Sequence, residues 1–234
     1  MNGEANDNNQ PPVIAIDGTS SSGKGTISVM LAKHLKWHFL DSGSIYRAMA
    51  WAILHYKVPP DDQPALQRLL KRVQIAVEDR VEEISRITCD GHDISDDIRS
   101  EDCATMASKI SAFPMVREAV LQYQRDFRRL PGLVADGRDM GTVVFPDANV
   151  KFFFEADLKE RAERRYKQLQ ERGINVSLRD IQEELLERDR RDIDREISPT
   201  KPADDAIVID TTDWGIDQVF AEVLKHVAER LPIK

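Results

Sequence analysis

Val13-Ile14-Ala15-Ile16-Asp17-Gly18-Thr19-Ser20-Ser21-Ser22-Gly23-Lys24-Gly25-Thr26 decides the fold. Val13 to Ile16 is a continuous apolar run, the pattern of a strand buried on both faces. Ile27, Met30, Leu31 and Leu35 then recur at helical spacing from Lys24 onward. Between strand and helix, Gly18 to Lys24 matches G-x-x-x-x-G-K. That motif has a mechanism in this context: loop amides and the helix N-terminus aim unpaired N–H groups at phosphate oxygens, and the lysine adds charge.

Working outward, short apolar runs alternate with helical periods. His38 to Leu40, Leu133 to Asp136, Val150 to Phe154 and Ala206 to Ile209 read as further strands. Ile45, Ala48, Met49, Ala52, Ile53 and Tyr56 form one amphipathic helix stripe, with Pro59-Pro60 beyond it. Val116, Val120, Tyr123 and Phe127 mark a helix stopped by Pro131-Gly132, and Val219 to Val227 a closing helix. Alternation of this kind predicts an α/β fold with a parallel sheet covered by helices on both faces. Between about 73 and 95 the period changes to two, and an antiparallel β insert is expected. A charged helical region is expected over about 158–196.

Net charge −8 in 234 residues disfavours nucleic acid and anionic membranes as partners. No apolar run approaches a membrane span. Cys89 and Cys103 are too few for a disulfide framework or a zinc ribbon, and they suit a reducing cytoplasm. Residues 1–10 are polar, lack a signal-peptide pattern, and are expected to be a disordered tail.

Ligands of parallel sheets sit at the carboxyl ends of strands, which directs attention to the segments after Ile16, Leu40, Ala135 and Phe154. In the first, Lys24 is expected near the β and γ phosphates, and Thr26, helped by Ser22, to bind Mg²⁺ in place of the residue directly after the lysine, which is Gly25. After the second strand, Ser42 or Ser44 can cap the next helix, and Arg47 lies off its apolar stripe. After the third come Gly137-Arg138-Asp139; Asp136 either holds a metal-bound water or braces the loop by hydrogen bonds. After the fourth lie Arg161, Arg164 and Arg165. Farther on, Arg188, Arg191, Asp192 and Arg195 share roughly 100° of a helical arc, a face suited to a lid over phosphates. The Asn-Lys-x-Asp segment with which GTPases read guanine is absent, and Lys-Gly-Thr after the loop glycine points to small-molecule and nucleotide kinases.

Five segments together carry a resemblance: Ile16-Asp17-Gly18 with Gly23 to Thr26; Asp41-Ser42-Gly43-Ser44-Ile45-Tyr46-Arg47; Ala112-Phe113-Pro114 with Val116-Arg117-Glu118-Ala119; Asp136 to Ala148; and Glu187-Arg188-Asp189 with Arg191-Asp192. From about Val13 to its end the chain resembles the bacterial cytidylate (CMP/dCMP) kinases, within the P-loop nucleoside monophosphate kinase family. The resemblance implies a five-stranded parallel core (11–41, 112–157 and 196–234), a nucleoside monophosphate region (42–111) with the β insert, and a lid (158–195). It implies ATP with Mg²⁺ as donor and CMP or dCMP as acceptor, in a chain expected to be monomeric. Arg47 and Arg138 would hold the acceptor phosphate with Ser42 and Tyr46 nearby. Ser108, Arg117 and Asp139 would read cytosine; Arg188 and Asp192 would contact the pentose, and Arg195 the base side. Arg164 and Arg191 would be lid arginines near the ATP phosphates, and Gly18 to Thr26 would cradle them. Thr19 and Ser21 stand where the family usually has Pro and Gly. A positive φ at Ser21 would cost about 1 kcal/mol.

Overall fold

The computed structural model describes residues 10–78 and 86–231. Residues 1–9 of the tail expected at 1–10, and Ile84 of the β insert, lie outside the described residues. In chain order the elements are β1 (Val13–Gly18), α1 (Lys24–Leu35), β2 (His38–Asp41), α2 (Ser42–His55), α3 (Gln63–Arg72), β3 (Ile75–Glu78), β4 (Arg86–Cys89), β5 (His92–Asp93), α4 (Glu101–Ile110), α5 (Pro114–Arg125), β6 (Leu133–Asp136), β7 (Val150–Glu155), α6 (Leu158–Glu171), α7 (Leu178–Asp194), β8 (Ile207–Asp210) and α8 (Ile216–Arg230).

Five strands form one parallel sheet in the order β2-β6-β1-β7-β8. β1 lies at its centre, and all six of its residues are buried. Successive side chains of a strand point to opposite faces. Val13 and Ala15 accordingly enter the core beneath α2, α4 and α5, whereas Ile14 and Ile16 enter the core beneath α1 and α8. Antiparallel β3-β4-β5 forms the expected separate insert. The charged helical region after β7 consists of two helices: the chain turns at Gly173 (φ +74°), and Ala162, Leu169, Ile181 and Leu185 give the pair a small core of its own.

Two close approaches place the strand ends. Gly18 (φ +145°) passes so near β7 that a Cβ there would stand 2.0 Å from the carbonyl oxygen of Phe154, and only glycine fits. Asp17 turns its carboxylate across the sheet to accept from the backbone N–H groups of Met140 (2.7 Å) and Gly141 (2.8 Å). It thereby fixes the segment after β6 that carries Arg138 and Asp139.

Burial raises the Asp17 carboxyl to about 7, although the amides of Gly141 and Met140 pull it back. Asp17→Asn keeps the size but turns an N–H₂ toward one of two N–H donors. Leaving a buried donor unpaired costs roughly 1–3 kcal/mol. We expect that loss in denaturant unfolding, together with slower turnover. An unchanged midpoint would contradict the bracing role.

Candidate active site

The site grows from how α1 begins. Gly23 is its N-cap, in left-handed geometry and with no side-chain cap, so the first amides of the helix carry no side-chain acceptor. Such amides favour an anion. Ser21 holds φ +60°, the strained conformation anticipated for that position. Lys24 is buried and folds back over the loop, its Nζ donating to the Thr19 carbonyl at 2.9 Å. Burial, then the neighbouring Arg138, lowers the Lys24 ammonium to about 7; Asp136 opposes them. An anion in the loop would restore its charge.

A cleft of about 1130 Å³ runs past this loop, large enough for two nucleotide-sized ligands. Ser20 to Thr26 line it; Gly18 and Thr19, expected in the phosphate cradle, do not. Gly18 is closed against Phe154, and the Thr19 carbonyl is occupied by Lys24 and by the Ser22 hydroxyl. Ser42, Tyr46, Arg47, Ser108, Arg117, Asp136, Arg138, Asp139, Arg164, Arg188, Asp192 and Arg195 all reach the cleft. Arg191 does not: its Nε donates to the Glu187 carbonyl of its own helix. The helix ends at Asp194, so Arg195 is its C-cap rather than part of the arc, held by an Nε hydrogen bond to the Ser198 carbonyl at 2.6 Å. Neither Ser42 nor Ser44 caps α2. Asp41 does, accepting from Ser44 N and Ser44 Oγ.

At the end lined by α4 and α5, Arg117 and Asp139 form a buried pair, with Arg117 Nη1 also donating to the Ser111 carbonyl. The Arg117 guanidinium lies 5.9 Å from the centre of the Tyr46 ring. Burial raises Asp139, with Arg117 and Arg195 opposing it, and burial raises Tyr46 to about 12. In mid-cleft, Arg138 donates to Asp192 (3.0 Å), to the Gly137 carbonyl (3.0 Å) and to Ser20 Oγ (2.8 Å). Burial raises Asp192, but Arg138, Arg188 and Arg195 outweigh it and hold the carboxyl below its ordinary value. Burial and then Arg138 bring Arg188 down to about 10. Ser108 Oγ, Arg188 Nε and Arg195 Nη2 are buried with no hydrogen-bond partner among the described residues. Buried polar groups are ordinarily paired, so this cleft is shaped for a polar ligand.

The other end is less polar. Met30, Trp214, Ile216 and Val219 line it. Arg164 binds the loop after β8 through Thr211 and Thr212 and reaches the Ser22 carbonyl; Thr211 Oγ1 donates to the same carbonyl at 2.8 Å. Sequence reasoning missed this loop, although the strand-end rule applies to β8 as well. Arg161 separates from Arg164: it is buried against Asp189, whereas Arg165 lines the cleft beside Arg164 and pairs with Glu101 of α4.

The donor set fits Mg²⁺. Asp136 is a buried carboxylate that accepts no hydrogen bond among the described residues, and Gly25 leaves it room: a Cβ there would stand 3.2 Å from Asp136 Oδ2. Thr26, an exposed residue, follows Gly25 in the first turn of α1 and lines the same cleft. No cluster of three ligating side chains occurs among the described residues. Mg²⁺ bound to nucleotides takes one or two protein oxygens, the rest coming from phosphates and water.

A glycine-rich loop between central strand and helix, facing a cleft lined with arginines, defines a P-loop kinase of the nucleoside monophosphate type. A model of the cytidylate kinase family matches residues 14–229. A cytidylate kinase of Coxiella burnetii is 66% identical over 220 residues, 94% of this chain and 93% of that protein. One from Aeromonas salmonicida is 50% identical over 94% of this chain and 95% of its own length. In fold the chain is similar to TT1252 from Thermus thermophilus, with a TM-score of 0.50 at 18% identity over 95% of this chain and 98% of that one. The chain belongs to the cytidylate kinase family, and so is an ATP-dependent phosphotransferase.

Burial also raises Asp136, to about 6, with Lys24 opposing it. Asp17 and Asp136 therefore keep protons in the folded chain that the unfolded chain releases near pH 4. The stability this confers is complete below pH 4 and is lost as pH rises to about 7. The nucleotide-free melting temperature should fall between pH 5 and 7.5, and Asp136→Asn should flatten part of that fall. Identical pH profiles for the two proteins would contradict the assignment.

Proposed function

We propose that the chain transfers the γ-phosphoryl group of ATP to CMP or dCMP, giving CDP or dCDP and ADP. The observation that carries this reading is the position of Arg138, hydrogen-bonded to Ser20 of the phosphate loop on one side and to Asp192 on the other. It lies where a donor triphosphate and an acceptor phosphate would meet.

The assignment of ends follows from chemistry. Cytosine offers an N4 donor and O2/N3 acceptors. Asp139 accepts from N4, while Ser108 and Arg117 donate to the ring acceptors; uracil would set O4 against a carboxylate. Arg47 and Arg138 hold the acceptor phosphate beside Ser42 and Tyr46, and Arg188 and Asp192 address the pentose, with Arg195 toward the base. The donor triphosphate occupies Ser20 to Thr26, with Lys24 and Arg164 beside it and its base toward Trp214. Arg191, outside the cleft, takes no part.

Catalysis is then positioning and charge stabilisation. The attacking phosphate is already anionic, so no general base is required. Lys24, Arg138, Arg164 and Arg188 offset the charge that develops on the transferred group. Thr26 with Asp136 would hold Mg²⁺, which would offset negative charge on the phosphates. Residues 11–41, 112–157 and 196–234 form the core, 42–111 the acceptor region, and 158–195 the lid that excludes water. No helix among the described residues is long and apolar enough to cross a membrane. We place the chain in the cytoplasm as a monomer, with nucleotides and no nucleic acid as partners.

An ADP-release assay across CMP, dCMP, UMP, AMP and shikimate tests the reading. We expect CMP and dCMP to give the highest rates; no rate above the acceptor-free control would refute it. Asp139→Ala should raise the KM for CMP about tenfold or more while changing that for ATP by less than about threefold. Equal effects on both would make Asp139 structural.

A further inference from the structure

Arg161 and Asp189 lie outside the cleft, and nothing in the mechanism above uses them. Arg161 is 6% exposed and Asp189 8% exposed. Every described contact of Arg161 turns into the protein. Its Nε donates to the Ala156 carbonyl at 2.8 Å, and its Nη1 to Asp189 Oδ2 at 2.5 Å and to the Ser20 carbonyl at 3.2 Å. Ser20 also receives Arg138 through its hydroxyl, and Arg138 holds Asp192. The contacts close a ring: Asp189, Arg161, Ser20, Arg138, Asp192, and back along one turn of α7. Asp189 and Asp192 are three residues apart and share a helix face. Each grips an arginine, Arg161 of α6 and Arg138 of the segment after β6, and both arginines grip one residue of the phosphate loop.

We infer that Arg161 and Asp189 are positioning residues, setting the register of α7 against the phosphate loop so that Arg188 reaches the transferred phosphoryl group and Asp192 the acceptor pentose. The inference rests on the proposed phosphoryl transfer for its kinetic readout. Three features carry it. The ring joins the two segments that bring charge to the reaction, and it does so through Ser20, the residue that also orients Arg138. Arg188 directly precedes Asp189, so any slip of α7 moves both together. A desolvated ion pair contributes little net stability, because the cost of burial offsets the attraction, yet it strongly penalises wrong geometry.

Arg161→Lys is the informative substitution. It keeps the charge but cannot reach Ala156, Ser20 and Asp189 at once, because an ammonium lacks the planar fork. We expect kcat with CMP to fall about tenfold or more, since small misplacements of catalytic groups are costly, and the KM for CMP to rise with it, because Arg188 and Asp192 address the pentose. ATP consumed per CDP formed should rise, because a misregistered lid admits water. Amide exchange in residues 178–194 should quicken. Asp189→Asn, isosteric and less disruptive, should produce the same pattern and carries the test if Arg161→Lys fails to fold. A lower melting temperature with unchanged kcat, unchanged coupling and unchanged exchange would make the pair merely structural and overturn the inference. If the unsubstituted chain shows no CMP-dependent turnover, the functional reading fails; the ring is then judged on exchange alone, and unchanged exchange in either variant overturns it.

Discussion

Positive charge packed into one desolvated cleft is the constraint on which this structure depends. Lys24, Arg138 and Arg188 crowd together there, and burial and mutual repulsion lower both Lys24 and Arg188. Such a group persists only if carboxylates are set among the cations, since an unpaired buried charge is very costly. The carboxylates come from separate parts of the chain: Asp136 from the end of β6, Asp139 from the segment after it, Asp189 and Asp192 from α7. The parallel sheet delivers the first two to one edge. The helical pair after β7 delivers the others, and its own small core lets it present them as a unit.

This arrangement explains how a chain of net charge −8 can be built for anionic substrates. Glu187 to Arg195 holds four acids and four arginines. Within it, Arg188 and Asp192 face the cleft, Asp189 is spent on Arg161, and Arg191 stays outside. The global charge describes the exterior. The cleft is governed by a few placed side chains, each with a named partner or with a donor left over for a ligand.

Much of this was legible beforehand. Apolar runs named β1, β6 and β7, the strands buried on both faces, while the edge strands β2 and β8 are only partly buried. The phosphate loop carried its own context of strand and helix. The insert showed in its change of period. What escaped depended on tertiary contact. The role of Asp17 needs Met140 and Gly141 beside it, and the sequence holds them more than a hundred residues away. Arg161 and Arg164 differ by one helical turn, yet one is sealed against α7 while the other binds the loop after β8. The arc drawn through Arg188 and Arg195 assumed a helix that in fact stops at Asp194. α3 buries only Leu66 and Leu69, too few for its periodicity to stand out, although Asp62 followed by Pro64 is a start signal.

The most direct test of the account is a crystal structure with CMP and a non-hydrolysable ATP analogue bound together. The account predicts the CMP phosphate between Arg47 and Arg138, the cytosine edge against Asp139, Arg117 and Ser108, and the triphosphate on Ser20 to Thr26 with its base toward Trp214. A cytosine lodged at the Trp214 end, or an acceptor phosphate out of reach of Arg138, would contradict it.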